Sequence, residues 1–313
     1  MTSLICGSLA YDTIMTFDGQ FSDVILADQL HNLNAAFLVP AMRREFGGCA
    51  GNIAYNLKLL GGDPLIMATI GKDGQAYLER LSKQEIRTDC IRVIADAFTA
   101  QAMITTDAGN HQLTAFHPGA MMSSHLNRVA DAGRIDIAII APDGRDGMLE
   151  HARDCTQAGI PFIFDPGQGL PMFSGDELMH LIGLATYVTL NDYEAAMLVD
   201  RTGRQLEAIA DGLGALIVTH GGDGSQIYAD GAIIDIPSVK PNGIVDPTGC
   251  GDAYRAGLIY GLSRKLGWET TGQLASLMGA MKIECQGGQN HAVSREGVEK
   301  RFHQAFDYRI RLA

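Results

Sequence analysis

Positive charge is scarce in this chain. Its 313 residues carry 24 Lys and Arg against 36 Asp and Glu, a formal net charge of −12, so no overall field draws it to a phosphate backbone or an anionic membrane surface. Nucleic acid is a poor partner on that count. No two of the six cysteines (Cys6, Cys49, Cys90, Cys155, Cys250, Cys285) have the C-x-x-C spacing of a zinc or dithiol site, and they read as reduced thiols. No apolar run approaches the roughly 18 residues of a membrane span, and Met1-Thr2-Ser3 leads into an apolar segment with no basic stretch before it. The expectation is a cytoplasmic protein with no membrane partner. Proline is sparse too, 10 residues against 37 glycines in a chain that is 46% hydrophobic and 19% charged. This composition argues against disorder and asks for many tight backbone turns.

From about Arg134 onward, short apolar runs alternate with longer amphipathic stretches. Ile135–Ala141, Pro161–Asp165, Tyr187–Leu190 and Ala215–Thr219 read as buried strands; Asp146–Ala158, Asp176–Leu184 and Asp192–Asp200 read as helices with an acid near the start. The first third adds strand Leu4–Ser8, helix Gly51–Leu60 and strand Pro64–Ile70. This rhythm predicts an α/β fold: a doubly wound, mostly parallel sheet with helices on both faces. Two stretches break it, Thr13–Leu38 and Thr99–His117, the second a hairpin whose strands Gln101–Thr106 and Gln112–Phe116 flank Asp107-Ala108-Gly109-Asn110. A hairpin interrupts a parallel sheet, so residues 1–313 are expected to form one domain with a small β lid built from 13–38 and 99–117. After Ile233–Pro237 the chain reads as mainly helical, over Asp252–Leu266, Thr270–Cys285 and Ser294–Phe306.

Four glycine- or cap-marked turns are candidate sites. Asp246-Pro247-Thr248-Gly249-Cys250-Gly251-Asp252 opens into a helix, where the amides of Gly249, Cys250 and Gly251 would form an anion site with Asp252 in its middle. Asp252 is either a helix cap or a general base beside that anion. Phe46-Gly47-Gly48-Cys49-Ala50-Gly51-Asn52 also enters a helix but does not match the dinucleotide fingerprint, leaving tight packing or close approach to a ligand. Thr219-His220-Gly221-Gly222-Asp223-Gly224 follows a buried strand, and Asn191-Asp192-Tyr193-Glu194 starts a helix as an N-cap or a capping box.

In their joint order these turns resemble the ribokinase-type (pfkB) family of sugar and nucleoside kinases. The resemblance runs through Gly7–Asp12, Gly47-Gly48 to Asn52, Gly71-Lys72-Asp73-Gly74, Asn191 with Glu194, Thr219 with Gly221, and Gly249–Asp252. It implies Asp252 as general base and an anion hole at Gly249, Cys250 and Gly251. Asp12, Asn52 and the Gly47-Gly48 backbone are implied on the ribose, Asn191, Thr219, Gly221 and Gly224 along ATP, and Glu194 on Mg²⁺ through water. Pro247 and Cys250 depart from the family pattern, which leaves open whether the turn also holds a monovalent cation such as K⁺. The phrases Phe116-His117-Pro118-Gly119-Ala120-Met121 and Asp165-Pro166-Gly167-Gln168 are similar to those of nucleoside kinases that use adenosine, and place Phe116 and Gln168 at a nucleobase. The reading is an ATP- and Mg²⁺-dependent purine-nucleoside kinase, with a homodimer through the lid as a further expectation. Its rivals are a sugar or sugar-phosphate kinase of the same family and a nucleoside-binding homologue without catalysis.

Overall fold

The strand β1 (Thr2–Cys6) turns Ile5 toward one apolar core and Leu4 and Cys6 toward another, as the two-residue period of a strand requires when both faces are covered. A computed structural model describes every residue except 26–30, 32, 33 and 313; the part of the Thr13–Leu38 expectation that falls on 26–30, 32 and 33 lies outside the described residues. In the described residues, β1 sits inside a nine-stranded sheet. To one side run β4 (Asp63–Gly71) and β5 (Arg87–Ile94); to the other run β8 (Ile137–Ile140), β9 (Phe162–Phe164), β10 (Tyr187–Asn191) and β11 (Ala215–Thr219), all parallel to their neighbours. Antiparallel β12 (Ser225–Ala229) and β13 (Ala232–Ile236) extend the far edge.

One core holds buried residues of α2 (Cys49–Leu59), α3 (Gln75–Lys83), α8 (Cys250–Ser263), α9 (Trp268–Lys282) and α10 (Arg295–Phe306). The other holds those of α4 (Arg145–Gln157), α5 (Gly175–Leu184), α6 (Asp192–Thr202) and α7 (Leu206–Ala210). The doubly wound α/β architecture is as expected.

A second, four-stranded sheet projects from the first in the order β3 (Ala41–Gly47), β2 (Ala10–Thr16), β6 (Ala100–Thr106), β7 (Gln112–His117), with the short helix α1 (Phe21–Val24) beyond β2. The expected lid ranges overlap β2, β6 and β7; β3 lies outside them. Its Ala41-Met42-Arg43-Arg44 run is exposed at every position, so it carries no alternation to mark a strand. The turn Gly71-Lys72-Asp73-Gly74 anchors this sheet: Asp73 Oδ1 accepts from the Thr99 amide and hydroxyl, both at 2.7 Å, just before β6.

Candidate active site

The large sheet's order runs outward in opposite directions from β1 and β8, a switch point that opens a crevice at the carboxyl ends of the parallel strands. Ser8, just past β1, accepts from the Cys49 amide on its hydroxyl at 3.2 Å and from the Ala50 amide on its carbonyl at 3.0 Å. These bonds fix the start of α2, with Gly48 as its N-cap, and so aim the buried Asn52 at the start of α8. Asn52 Nδ2 donates to Asp252 Oδ2 at 2.8 Å, while Gln289 Nε2 donates to Asn52 Oδ1 at 3.1 Å and to the Tyr77 hydroxyl at 2.7 Å. The Tyr77 hydroxyl in turn donates to the Gly47 carbonyl at 2.7 Å. This chain of bonds locks the Asn52 amide in one orientation.

Gly249, the N-cap of α8, has φ +79°, a conformation that disfavours side chains. Among the described residues no acceptor faces the amides of Gly249, Gly251 and Asp252. The Cys250 amide differs from the expected anion-hole trio: it donates to the Pro247 carbonyl at 3.2 Å and closes the turn. Geometry thus replaces Cys250 by Asp252 as the third free amide. The Cys250 thiol is pushed up to about 11, chiefly by burial, so the helix terminus does not activate it. Burial lifts the Asp252 carboxyl to about 6 against the bond from Asn52 and the charge of Arg255.

Arg255, one turn along α8, forms a buried two-pronged pair with Asp165 beyond β9: Nε to Oδ2 at 2.9 Å and Nη2 to Oδ1 at 3.0 Å. Burial opposes its charge, but Asp165 outweighs that cost and holds the guanidinium firmly protonated. Sequence reading passed over this pair, although a lone Arg in the apolar run Ala253–Leu262 was a usable signal. On the neighbouring strands Asn191 and Thr219 are paired directly. Glu194 is buried, its carboxyl raised by desolvation and then by Asp165. Its oxygens accept from the Asn191 amide at 2.8 Å and side chain at 2.9 Å, so the expected capping box is present. Gly221 and Gly224 shape the turn after β11, and a cavity of about 620 Å³ opens beside it between His220, Asp223, Gln226 and Asp235.

Mg²⁺ fits this donor set in one way. Among the described residues no group of three or more His, Cys, Asp or Glu is placed to hold a metal ion, but each Glu194 oxygen keeps a further lone pair. That suits an ion carried by phosphates and water, with a carboxylate at second hand. A monovalent cation does not fit the turn: the Asp246 carbonyl already faces the Lys282 ammonium at 2.8 Å and the Cys250 thiol at 4.0 Å, and a second positive charge there would be repelled.

The lid sheet adds the remaining expected residues. Glu45, Asp12, Ala102 and Phe116 form one cross-strand row, so their side chains share a face. With strands about 5 Å apart, Phe116 stands on the order of 10 Å from Asp12. Burial, then Asp246 and Glu45, lift the Asp12 carboxyl to about 6. Gln168 is exposed on the turn after β9, and among the described residues nothing joins it to Phe116.

A model of the pfkB family of carbohydrate kinases matches residues 12–295. The chain belongs to that family. Within it, the nucleoside kinase of Burkholderia thailandensis solved with inosine is 52% identical, with a TM-score of 0.90 and a match covering 99% of each chain. The same enzyme solved with ADP-inosine is 53% identical, with a TM-score of 0.88 over 99% of this chain and 98% of that one. The nucleoside kinase of Methanocaldococcus jannaschii is 28% identical over 271 residues, 86% of this chain and 89% of its own. The pfkB fold, a large parallel sheet with a small second one, is the fold described above.

Proposed function

We propose that this pfkB protein is an ATP-dependent nucleoside kinase that transfers the γ-phosphate to the ribose 5′-hydroxyl. One observation carries the reading: the Asp252 carboxylate, held by Asn52, stands beside the free amides at the start of α8. A carboxylate next to an anion site is repulsive unless it takes a proton from the attacking hydroxyl. With its pKa near 6, Asp252 is ionised at neutral pH and basic enough to accept that proton. The Gly249, Gly251 and Asp252 amides then face the oxygens where negative charge gathers.

Asp12 and the second Nδ2 proton of Asn52 are assigned to the ribose hydroxyls, with the Gly47-Gly48 backbone closing that side. Phe116 and Gln168 are assigned to the base; Asn191, Thr219, Gly221 and Gly224 to the nucleotide phosphates. Glu194 would hold Mg²⁺ through water, and the ion supplies charge neutralisation on the phosphates. The lid face bearing Asp12 and Phe116 excludes water and so protects ATP from hydrolysis. Its opposite face exposes Met42, Met103 and Leu113, which is where a homodimer through the lid would bury apolar area. The sugar-kinase reading has less support, since the relatives named above are nucleoside kinases.

The test is ADP release from ATP with a panel of purine nucleosides, ribose and fructose 6-phosphate. Turnover with nucleosides above every sugar supports the reading. Turnover with a sugar alone removes the nucleoside assignment, and no turnover with any acceptor removes the kinase reading.

A further inference from the structure

Lys282 is the last residue of α9 and has no exposed surface. A lysine at a helix end ordinarily reaches water or its own helix's last carbonyls. This one does neither. Its Nζ donates to the Asp246 carbonyl at 2.8 Å and to the Cys285 carbonyl at 3.0 Å, bridging the loop that enters α8 and the loop that leaves α9. The adjacent Asp246 carboxylate is turned to backbone amides, taking Thr248 N–H at 2.9 Å on one oxygen and Gly287 N–H at 2.8 Å on the other. A single positive charge thus sits among backbone carbonyls beside a carboxylate. That ligand set is one a bare monovalent cation takes when it sheds water.

The two bridged loops carry the anion site. Three residues after Asp246 comes Gly249, the cap of α8; three after Cys285 comes Gly288, so close that a Cβ on Gly249 would stand 3.1 Å from its Cα. The next residue, Gln289, orients Asn52 and through it Asp252. The charge of Lys282 also reaches the start of α8, where it draws the Cys250 thiol downward against burial.

We propose that the Lys282 ammonium is a built-in monovalent cation: a positioning residue that ties the Asp246 and Cys285 loops and sets the anion hole, so that catalysis needs no inorganic monovalent ion. The proposal rests on the kinase reading, and the two fail differently. Absence of ADP release under all salts would remove the kinase reading. A wild-type enzyme that needs K⁺ would remove only this proposal.

The experiment measures nucleoside-dependent ADP release in a Mg²⁺-containing buffer with choline as the only monovalent salt, then with K⁺ or NH₄⁺ at equal ionic strength. Wild type is expected to give the same kcat in all three; activation by K⁺ or NH₄⁺ over choline overturns the proposal without any variant. Lys282→Ala is expected to lose on the order of 10²-fold in kcat, as a misplaced catalytic group does, with nucleoside KM little changed and part of the loss restored by K⁺ or methylammonium. A lysine that merely stabilises the fold predicts a lowered melting temperature with no selective rescue of kcat. That outcome in a folded Lys282→Ala protein also overturns the proposal.

Discussion

Asn52 and Asp252, 200 residues apart, meet in a 2.8 Å hydrogen bond from the Asn52 amide to Asp252 Oδ2. The bond joins the starts of α2 and α8, so the proposed ribose side and the proposed anion site are positioned by one contact. Asp252→Asn is expected to lower kcat by about 10²–10⁴-fold, the usual scale for a lost general base, with nucleoside affinity nearly unchanged. In the wild type, kcat/KM should fall as pH drops through about 6, where Asp252 and Asp12 both take up protons.

Stability runs the other way. The folded-state pKa of Asp252 is about 6, above the ordinary 3.8, so the folded protein holds this proton more tightly than the unfolded chain. The resulting stabilisation is complete below the ordinary value and is lost as pH rises through the folded one. Asp252→Asn cannot ionise. It should therefore melt above the wild type at mildly alkaline pH and match it at strongly acid pH; a helix cap whose value lies in its charge gives the opposite order.

Gly47 is needed for room. A Cβ built on it stands 2.4 Å from Asp12 Oδ2 and 2.9 Å from Asp12 Cγ. Gly47→Ala should push the Asp12 carboxylate out of place, raising nucleoside KM more than it lowers kcat. Equal KM values for variant and wild type would show that Asp12 does not hold the ribose.

Much of the fold was legible because β8 to β11 are covered on both faces and read as unbroken apolar runs. β5 was not, since this edge strand begins Arg87-Thr88-Asp89 and looks like a loop. The glycine turns were legible one by one, whereas their partners were not: Arg255 finds Asp165 across 90 residues and Gln289 finds Asn52 across 237. The hydrogen bond that occupies the Cys250 amide depends on the turn's closure at Pro247, which residue spacing does not specify.

Arg255 and Asp165 are nearly inaccessible to water, so removing one partner strands the other's charge. Arg255→Met should destabilise the protein by about 3–5 kcal/mol in urea unfolding, and the double change with Asp165→Leu should recover much of that loss. A double variant no more stable than Arg255→Met would mean that the pair contributes through packing alone.

Glu194→Gln separates a metal role from a capping role. Gln serves as well as Glu at the third helical position of a capping box, so the melting temperature should hold. The Mg²⁺ concentration for half-maximal rate should rise, because the amide lacks the charge that favours an ion's water shell. An unchanged Mg²⁺ titration, with the melting temperature held, would confine Glu194 to the helix cap.

Phe116 is the residue proposed to set the acceptor class. It shares a cross-strand row with Asp12, so on the proposed assignment a ribose held at Asp12 would extend its base toward the aromatic ring, and a free sugar would reach no such contact. It is also 53% exposed, leaving its face available to stack. Base stacking on an aromatic side chain contributes about 1–3 kcal/mol in nucleic-acid complexes. On that scale Phe116→Ala should raise nucleoside KM by about tenfold, since roughly 1.4 kcal/mol is tenfold in affinity. Any residual turnover of ribose should be unaffected. If the variant instead weakened ribose and inosine equally, Phe116 would be acting on lid closure and not on the base; if neither changed, the base would lie elsewhere and Gln168 would lose its neighbour in the assignment.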